Sequence, residues 1–280
     1  MIDRLARVFP RRTKATPTDP LAFVGPPDLF AAAGLDCIER VHVSVAFDAD
    51  RSEAERLARQ WERVAPVEIG GPAVAPPSGP FVPGRYLKPG RTITSRGCPN
   101  RCWFCRAGRQ TPEVQELPIT DGHRLLDDNL LACSQTHVRA VFAMLAGQPH
   151  RAEFTGGLDP ERLADWVVNL LAALRPEPAI FLAYDTPADL EPVTIAAQKL
   201  RYAGFSTRSH RLQCYVLIGF PGDTLDDARR RLHQTLAIGL TPFAMLYQGG
   251  LLQPAHSPDW KRLQRHWTRP ALIHQKARAL

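Results

Sequence analysis

Cysteine is scarce in this 280-residue chain, with six copies, and methionine is scarcer still, with three. So few thiols exclude the dense disulfide framework of a small secreted scaffold. A chain of this length does not need one, because it can bury one substantial core with an accessory segment. No apolar run approaches the roughly 20 residues that cross a bilayer, which argues against a membrane role. The opening Met1-Ile-Asp-Arg-Leu-Ala-Arg-Val-Phe-Pro10 lacks the apolar centre of a secretory signal, so a reducing cytoplasmic setting is expected. Lysine is also rare, at five of the 35 basic residues. The remaining composition, 44% hydrophobic and 22% charged, is that of an ordinary globular protein.

The net charge of +7 is unevenly placed. Residues 1–14 carry Arg4, Arg7, Arg11, Arg12 and Lys14 against Asp3. Residues 259–280 carry Lys261, Arg262, Arg265, Arg269, Lys276 and Arg278 against Asp259, which leaves the stretch between slightly acidic. The chain therefore reads as a near-neutral body with basic tails, which could follow a phosphate backbone or simply be solvated ends.

Half of the scarce cysteines stand together, in Thr94-Ser-Arg-Gly-Cys-Pro-Asn-Arg-Cys-Trp-Phe-Cys105. Chance would produce Cys-x3-Cys-x2-Cys on the order of 0.002 times per chain of this composition. Structural zinc wants four ligands, usually as two close pairs. The next histidines, His123 and His137, are 18 and 32 residues beyond Cys105, while Cys37, Cys133 and Cys214 stand alone. A [4Fe-4S] cluster is the better fit: Cys98, Cys102 and Cys105 can hold three irons and leave the fourth open to a small molecule.

With Phe104 in the aromatic position, this loop resembles the Cys-x3-Cys-x-aromatic-Cys hallmark of the radical S-adenosylmethionine (radical SAM) superfamily. Tyr215-Val-Leu-Ile-Gly-Phe-Pro-Gly-Asp-Thr224 is similar to the strand and turn at the fifth barrel strand of many members, with Asp223 in place of the usual Glu. The two matches bracket a core from about Arg91 to Gln248.

Strand and helix signals alternate through that core, the pattern of a parallel α/β architecture. Strands are expected at 92–94, 124–128, 152–155, 180–184, 214–218 and 242–247. Ser134 should cap a helix ending near Gly147, and Asp159 with Pro160 should start another bearing Leu163, Trp166, Val167, Leu170, Leu171 and Leu174. Further helices should end near Gly204 and run from Thr224 to Gly239. Between Cys105 and Leu117 no helix is expected. Six such units match the partial (β/α)6 TIM-like barrel that the resemblance implies.

Three regions follow: an accessory segment 1–90, the core 91–250 and a basic helical tail 251–280. In the first, 41–47 and 67–69 read as strands around a helix at 52–64, followed by a Pro-rich linker. This βαβ-like piece resembles the end of a cobalamin-binding domain but lacks the cobalt-ligating Asp-x-His-x-x-Gly, so no cobalamin is expected. His42 reads as a packed or surface residue. Trp260, Leu263 and Trp267 recur at helical spacing, as in a helix that covers the core.

The unusual residues fall where strands end and loops begin, where β/α barrels place their sites. The resemblance implies that Cys98, Cys102 and Cys105 ligate the cluster and that S-adenosylmethionine chelates its open iron. It implies that Asp127, Asp128 or Asn129 accepts hydrogen bonds from the cofactor's amino group or from a substrate; capping by Asn129 is an equal alternative. Gly156-Gly157 echoes a Gly-Gly-Glu methionine-binding motif, with Leu158 where Glu would stand; a tight turn that lets a cofactor approach backbone reads as well. Asp185 could meet ribose hydroxyls or cap a helix. Phe104 and the backbone around Ile218 and Gly219 would flank adenine. Glu153 and Thr155 share a strand face, and Cys133 and Cys214 read as inert buried thiols.

The implied partners are a flavodoxin- or ferredoxin-like electron donor and a substrate, small molecule or RNA. The implied chemistry is reductive cleavage of S-adenosylmethionine, followed by hydrogen-atom abstraction. The competing expectation is a non-catalytic iron–sulfur or zinc module that engages nucleic acid or a protein through basic tails.

Overall fold

Leu5–Phe9, part of the expected basic tail, is an inner strand of a parallel sheet. The computed structural model describes residues 4–28, 35, 37–74, 80–206, 211–249, 256–269 and 273. It divides into two compact units, 1–90 and 91–280.

The first unit is a four-stranded sheet of β1 (Leu5–Phe9), β2 (Ala22–Val24), β3 (Arg40–Ser44) and β4 (Val67–Gly70), in the order β2-β1-β3-β4 with all pairs parallel. Helix α1 (Arg51–Trp61) joins β3 to β4. Its Ala54, Leu57 and Trp61 are fully buried against Val8, Val41 and Val43, and Trp61 Nε1 donates to Gly25 O at 3.1 Å. The basic-tail expectation fails at Arg7, whose side chain is buried on β1. It pairs with Asp19 and donates to the carbonyls of Gly84 (3.1 Å) and Arg85 (2.8 Å). A buried guanidinium needs such partners, and they tie the end of the linker to the sheet. Residues 75–79 of the Pro-rich stretch lie outside the described residues, as do Lys276 and Arg278. His42 is packed, with Nδ1 2.5 Å from Tyr86 Oη.

The second unit is built on β5 (Arg91–Thr92), β8 (Arg124–Leu125), β9 (Glu153–Phe154), β10 (Ala179–Ala183), β11 (Leu212–Ile218) and β12 (Thr241–Leu246). These six form one all-parallel sheet in chain order, while β6 (Ser95–Arg96) and β7 (Gln115–Glu116) make a separate antiparallel pair. Helices α3 (Gln135–Ala146), α4 (Asp165–Ala173), α5 (Leu190–Tyr202) and α6 (Leu225–Ala237) connect successive strands from β8 to β12. Strand burial alternates. Leu125, Phe154, Ile180, Leu182, Leu212 and Cys214 are buried in a cluster with Val138, Val141, Val167, Leu171, Val193 and Leu200 of the helices. Their strand neighbours Arg124, Glu153, Phe181, Gln213, Tyr215 and Phe243 are only half-buried and face away from that layer.

Local sequence explains most element ends. Ser134 Oγ accepts from His137 N at 3.2 Å and starts α3; Thr224 does the same for α6 through Asp227 N at 3.1 Å. The helix expected from Asp159 is divided. Asp159 caps a single 3-10 turn, Pro160–Arg162, after which Leu163 and Ala164 leave helical geometry and α4 begins. A short helix, α2 (Arg106–Gln110), also occupies the segment where none was expected. It seats Gly108 so closely on the Cys98 and Asn100 carbonyls that a Cβ would come within 3.1–3.2 Å of them. Tertiary packing stabilises a helix too short to persist alone. Helix α7 (Pro258–Trp267) buries Leu263 and Trp267 against Val216, Leu232 and Ala244. No described helix is long and apolar enough to cross a membrane.

Candidate functional site

The three clustered cysteines occupy a tight loop leading from β6 into α2. Gly97 opens it at φ +87°, and a Cβ there would sit 2.1 Å from Glu113 O, so only glycine fits. Cys98 N then donates to Thr111 O at 3.0 Å, and Cys105 N to Cys102 O at 3.1 Å. Cys98 is buried; Cys102 and Cys105 are half-buried.

Asp127-Asp128-Asn129, just past β8, hold this loop one residue after another. Asp127 accepts from Thr94 N (2.6 Å) and Thr94 Oγ1 (2.5 Å). Asp128 accepts from Gly97 N at 2.8 Å. Asn129 Nδ2 donates to Cys98 Sγ at 3.4 Å and to Asp159 Oδ2 at 3.0 Å. Asp127 is buried, which raises its pKa against the lowering effect of the Thr94 bonds. The capping alternative for Asn129 does not hold, because its side chain makes no cap hydrogen bond to the 3-10 turn it precedes. These contacts place Asp127 and Asp128 as supports of the Cys loop.

Burial raises the Cys102 thiol to about pH 11, with smaller contributions from Cys105, Cys98, Asp185 and Asp189. The three sulfurs are thus close enough to oppose one another's ionisation, with the ends of β5 and β10 in one electrostatic neighbourhood. A metal ligated by Cys102 must displace its proton, so affinity falls as pH falls. Among the described residues, no three His, Cys, Asp or Glu side chains converge as the ligands of one ion must. Thiolates on a cluster each meet a different iron and do not share one point. Soft sulfur donors suit iron–sulfur clusters or zinc.

Other expected site residues are dispersed around the same strand ends. Asp185 Oδ1, past β10, accepts from Leu217 N on β11 at 3.1 Å. The cap expected of Asp185 is supplied instead by Thr186 and Asp189. Burial, then the neighbouring Asp189, pushes the Asp185 carboxyl up to about 7. Gly156 is glycine because a Cβ would lie 2.2 Å from Asp127 O; the close approach there is to the protein's own backbone. Gly157 adopts φ +89°. Ile218 points its side chain into the cluster with Ala228 and Leu232, and its carbonyl accepts from Tyr247 N at 2.9 Å. Gly219 has φ +71° and donates its N–H to Asp223 Oδ2 at 2.8 Å. Glu153 pairs with Arg124 at 2.5 Å, and Thr155 Oγ1 donates to Leu125 O at 3.0 Å. Cys214 is fully buried and Cys133 half-buried; burial raises both thiols, Cys133 to about 11.

Sequence reasoning missed two features. Trp103, between Cys102 and Phe104, is 47% exposed, yet its ring lies 5.4 Å from Phe104, 5.6 Å from Phe220 and 5.6 Å from Tyr247. Its position inside the Cys motif was the available signal. Arg231 of α6 is buried beneath the Gly219–Gly222 turn. Its Nη2 donates to Leu217 O (3.0 Å) and Asp223 Oδ2 (2.8 Å), and the guanidinium stands 5.1 Å from the Phe220 ring centre. No family model matches the chain, and no curated protein matches it.

Proposed function

We propose that this protein is a radical SAM enzyme, with a [4Fe-4S] cluster on Cys98, Cys102 and Cys105 and S-adenosylmethionine on the iron left open. One observation carries the proposal: Asp127, Asp128 and Asn129 clamp a three-cysteine loop at the strand ends of a parallel sheet whose strands run in chain order. The sheet is the partial (β/α)6 barrel that such enzymes use. Two features support curvature: half-buried polar and aromatic residues on the face away from the helices, and the Trp103 ring packed beside Phe220, past β11, and Tyr247, past the opposite edge strand β12.

The donor set fits the cluster. Three neighbouring thiols are offered, an N–H is already directed at one sulfur, and Gly97 and Gly108 let the loop fold tightly around them. A reduced cluster held by these cysteines would supply the electron for reductive cleavage of bound S-adenosylmethionine, the chemistry that makes hydrogen-atom abstraction from a substrate accessible. The chain's own residues bind, orient and shield. Cys102 gives up its proton on ligation. Asp185 is at hand for ribose hydroxyls, and near neutral pH its carboxyl is poised between acceptor and donor. Gly156, Gly157 and Gly219 give the strand-end turns clearances and backbone conformations that a side chain would spoil. Phe104, with Trp103, supplies an apolar wall for adenine and helps keep water out. A flavodoxin- or ferredoxin-like protein serves as electron donor, and the reducing cytoplasm is the setting in which six cysteines outside any disulfide are stable.

The second reading, a binding module, is favoured by one feature. Arg262, Arg265, His266 and Arg269 line a surface recess of about 280 Å³. One experiment separates the two. Protein reconstituted anaerobically with iron and sulfide is given dithionite and S-adenosylmethionine, and 5′-deoxyadenosine is measured. The enzyme reading expects its formation. A full cluster that yields none supports the binding module.

A further inference from the structure

Asn129 is buried, and its amide orientation is dictated from one side. Asp159 Oδ2 accepts from Asn129 Nδ2 (3.0 Å) and from Asn100 Nδ2 (2.7 Å) and is ion-paired with Arg162 (Nε at 3.2 Å), while Asp159 Oδ1 accepts from Glu161 N (3.1 Å). A carboxylate is an acceptor only, so it must face the nitrogen of the Asn129 amide. That nitrogen carries two hydrogens. One meets Asp159, and the other falls to Cys98 Sγ at 3.4 Å. Turning the amide over would set its oxygen against both the carboxylate and the sulfur. The orientation also leaves Asn129 Oδ1 buried without a hydrogen-bond partner among the described residues, which typically costs about 1–3 kcal/mol. A buried acceptor left unpaired calls for an explanation, and the two fixed donor contacts on the nitrogen supply one.

We infer that Asn129, oriented by Asp159, is a positioning residue that sets the reduction potential of the cluster held by Cys98. The inference rests on the cluster reading proposed above. An N–H directed at a ligand sulfur draws off negative charge. It therefore favours the reduced, more negative cluster and moves the potential upward. Asp159 also holds Asn100, so one carboxylate fixes both the donor and the loop between Cys98 and Cys102.

The test compares wild type with Asn129→Leu, similar in size but without the donor, after anaerobic reconstitution and analysis of iron and sulfide. Potentiometric titration should place the variant lower, with a reduced-to-oxidised ratio roughly three- to tenfold smaller at the wild-type midpoint. Resonance Raman spectra supply a readout that needs no variant to fold. Iron–thiolate modes of the wild type should shift on exchange from H2O to D2O, and this shift should shrink in Asn129→Leu and in Asp159→Leu. An intact cluster with no isotope shift in the wild type, or with the same potential and shift in Asn129→Leu, overturns the inference alone. A wild-type protein that holds zinc and no sulfide overturns the cluster reading and this inference with it.

Discussion

Trp103 and Tyr247 lie 5.6 Å apart between ring centres, although one belongs to the loop beyond the first strand of the six-stranded sheet and the other directly follows the last. Flat, six strands at ~4.8 Å spacing would separate their edges by ~24 Å. A flat sheet would hold them apart, so the strand ends curve toward one another and the Cys loop closes on Phe220 and Tyr247. Trp103→Ala should leave iron and sulfide content near the wild-type value while opening this cover. Cluster absorbance on exposure to air should then decay several-fold faster than in the wild type. Equal decay rates would show that Trp103 shields nothing.

Arg231 and Asp223 form a buried ion pair beneath the Gly219–Gly222 turn, with side chains 4% and 1% exposed. Breaking one side of such a pair strands a buried charge and costs about 3–5 kcal/mol, whereas removing both partners is far milder. Denaturant unfolding should show Arg231→Met losing about that much, and Arg231→Met with Asp223→Leu losing clearly less.

Asp185 gives the stability of the metal-free protein a defined pH dependence. Its folded-state value of about 7 lies above the ordinary 3.8. Between those values the folded chain holds a proton that the unfolded chain has lost, so stability falls as pH rises through this window and levels off above it. Asp185→Asn removes the charge that burial opposes. Melting temperatures measured from pH 5 to 8 should decline less steeply in the variant.

Deleting residues 1–10 removes β1 from the interior of the first sheet, together with buried Arg7 and its ties to Asp19, Gly84 and Arg85. The deletion should abolish cooperative unfolding of that unit. Circular dichroism melts of the truncated and full-length chains provide the comparison. A solvated tail would leave them the same.

The alternation of strands and helices in the core was legible because each element carries its own signal. Ser134 and Thr224 cap, the glycines at 147, 204 and 239 follow the helix ends, and apolar stripes mark buried faces. β1 was hidden because Arg4, Arg7, Arg11 and Arg12 gave its segment the look of a solvated end. Only long-range partners, Asp19 and two carbonyls near residue 85, make a buried arginine there tolerable. The division of the Asp159 helix was likewise hidden, since the apolar stripe continues across the break. At the site, the Cys spacing could be read directly. That Asp127-Asp128-Asn129 would grip the Cys loop could not, because the contacts join residues 31–33 positions apart in sequence.

Anaerobic reconstitution with iron and sulfide, followed by metal and sulfide analysis of wild type and Cys102→Ala, tests the central claim most directly. The account predicts about four irons and four sulfides per wild-type chain, the stoichiometry of a [4Fe-4S] cluster, and loss of the cluster in the variant. One zinc and no sulfide in the wild type, or a full cluster that survives without Cys102, would contradict it.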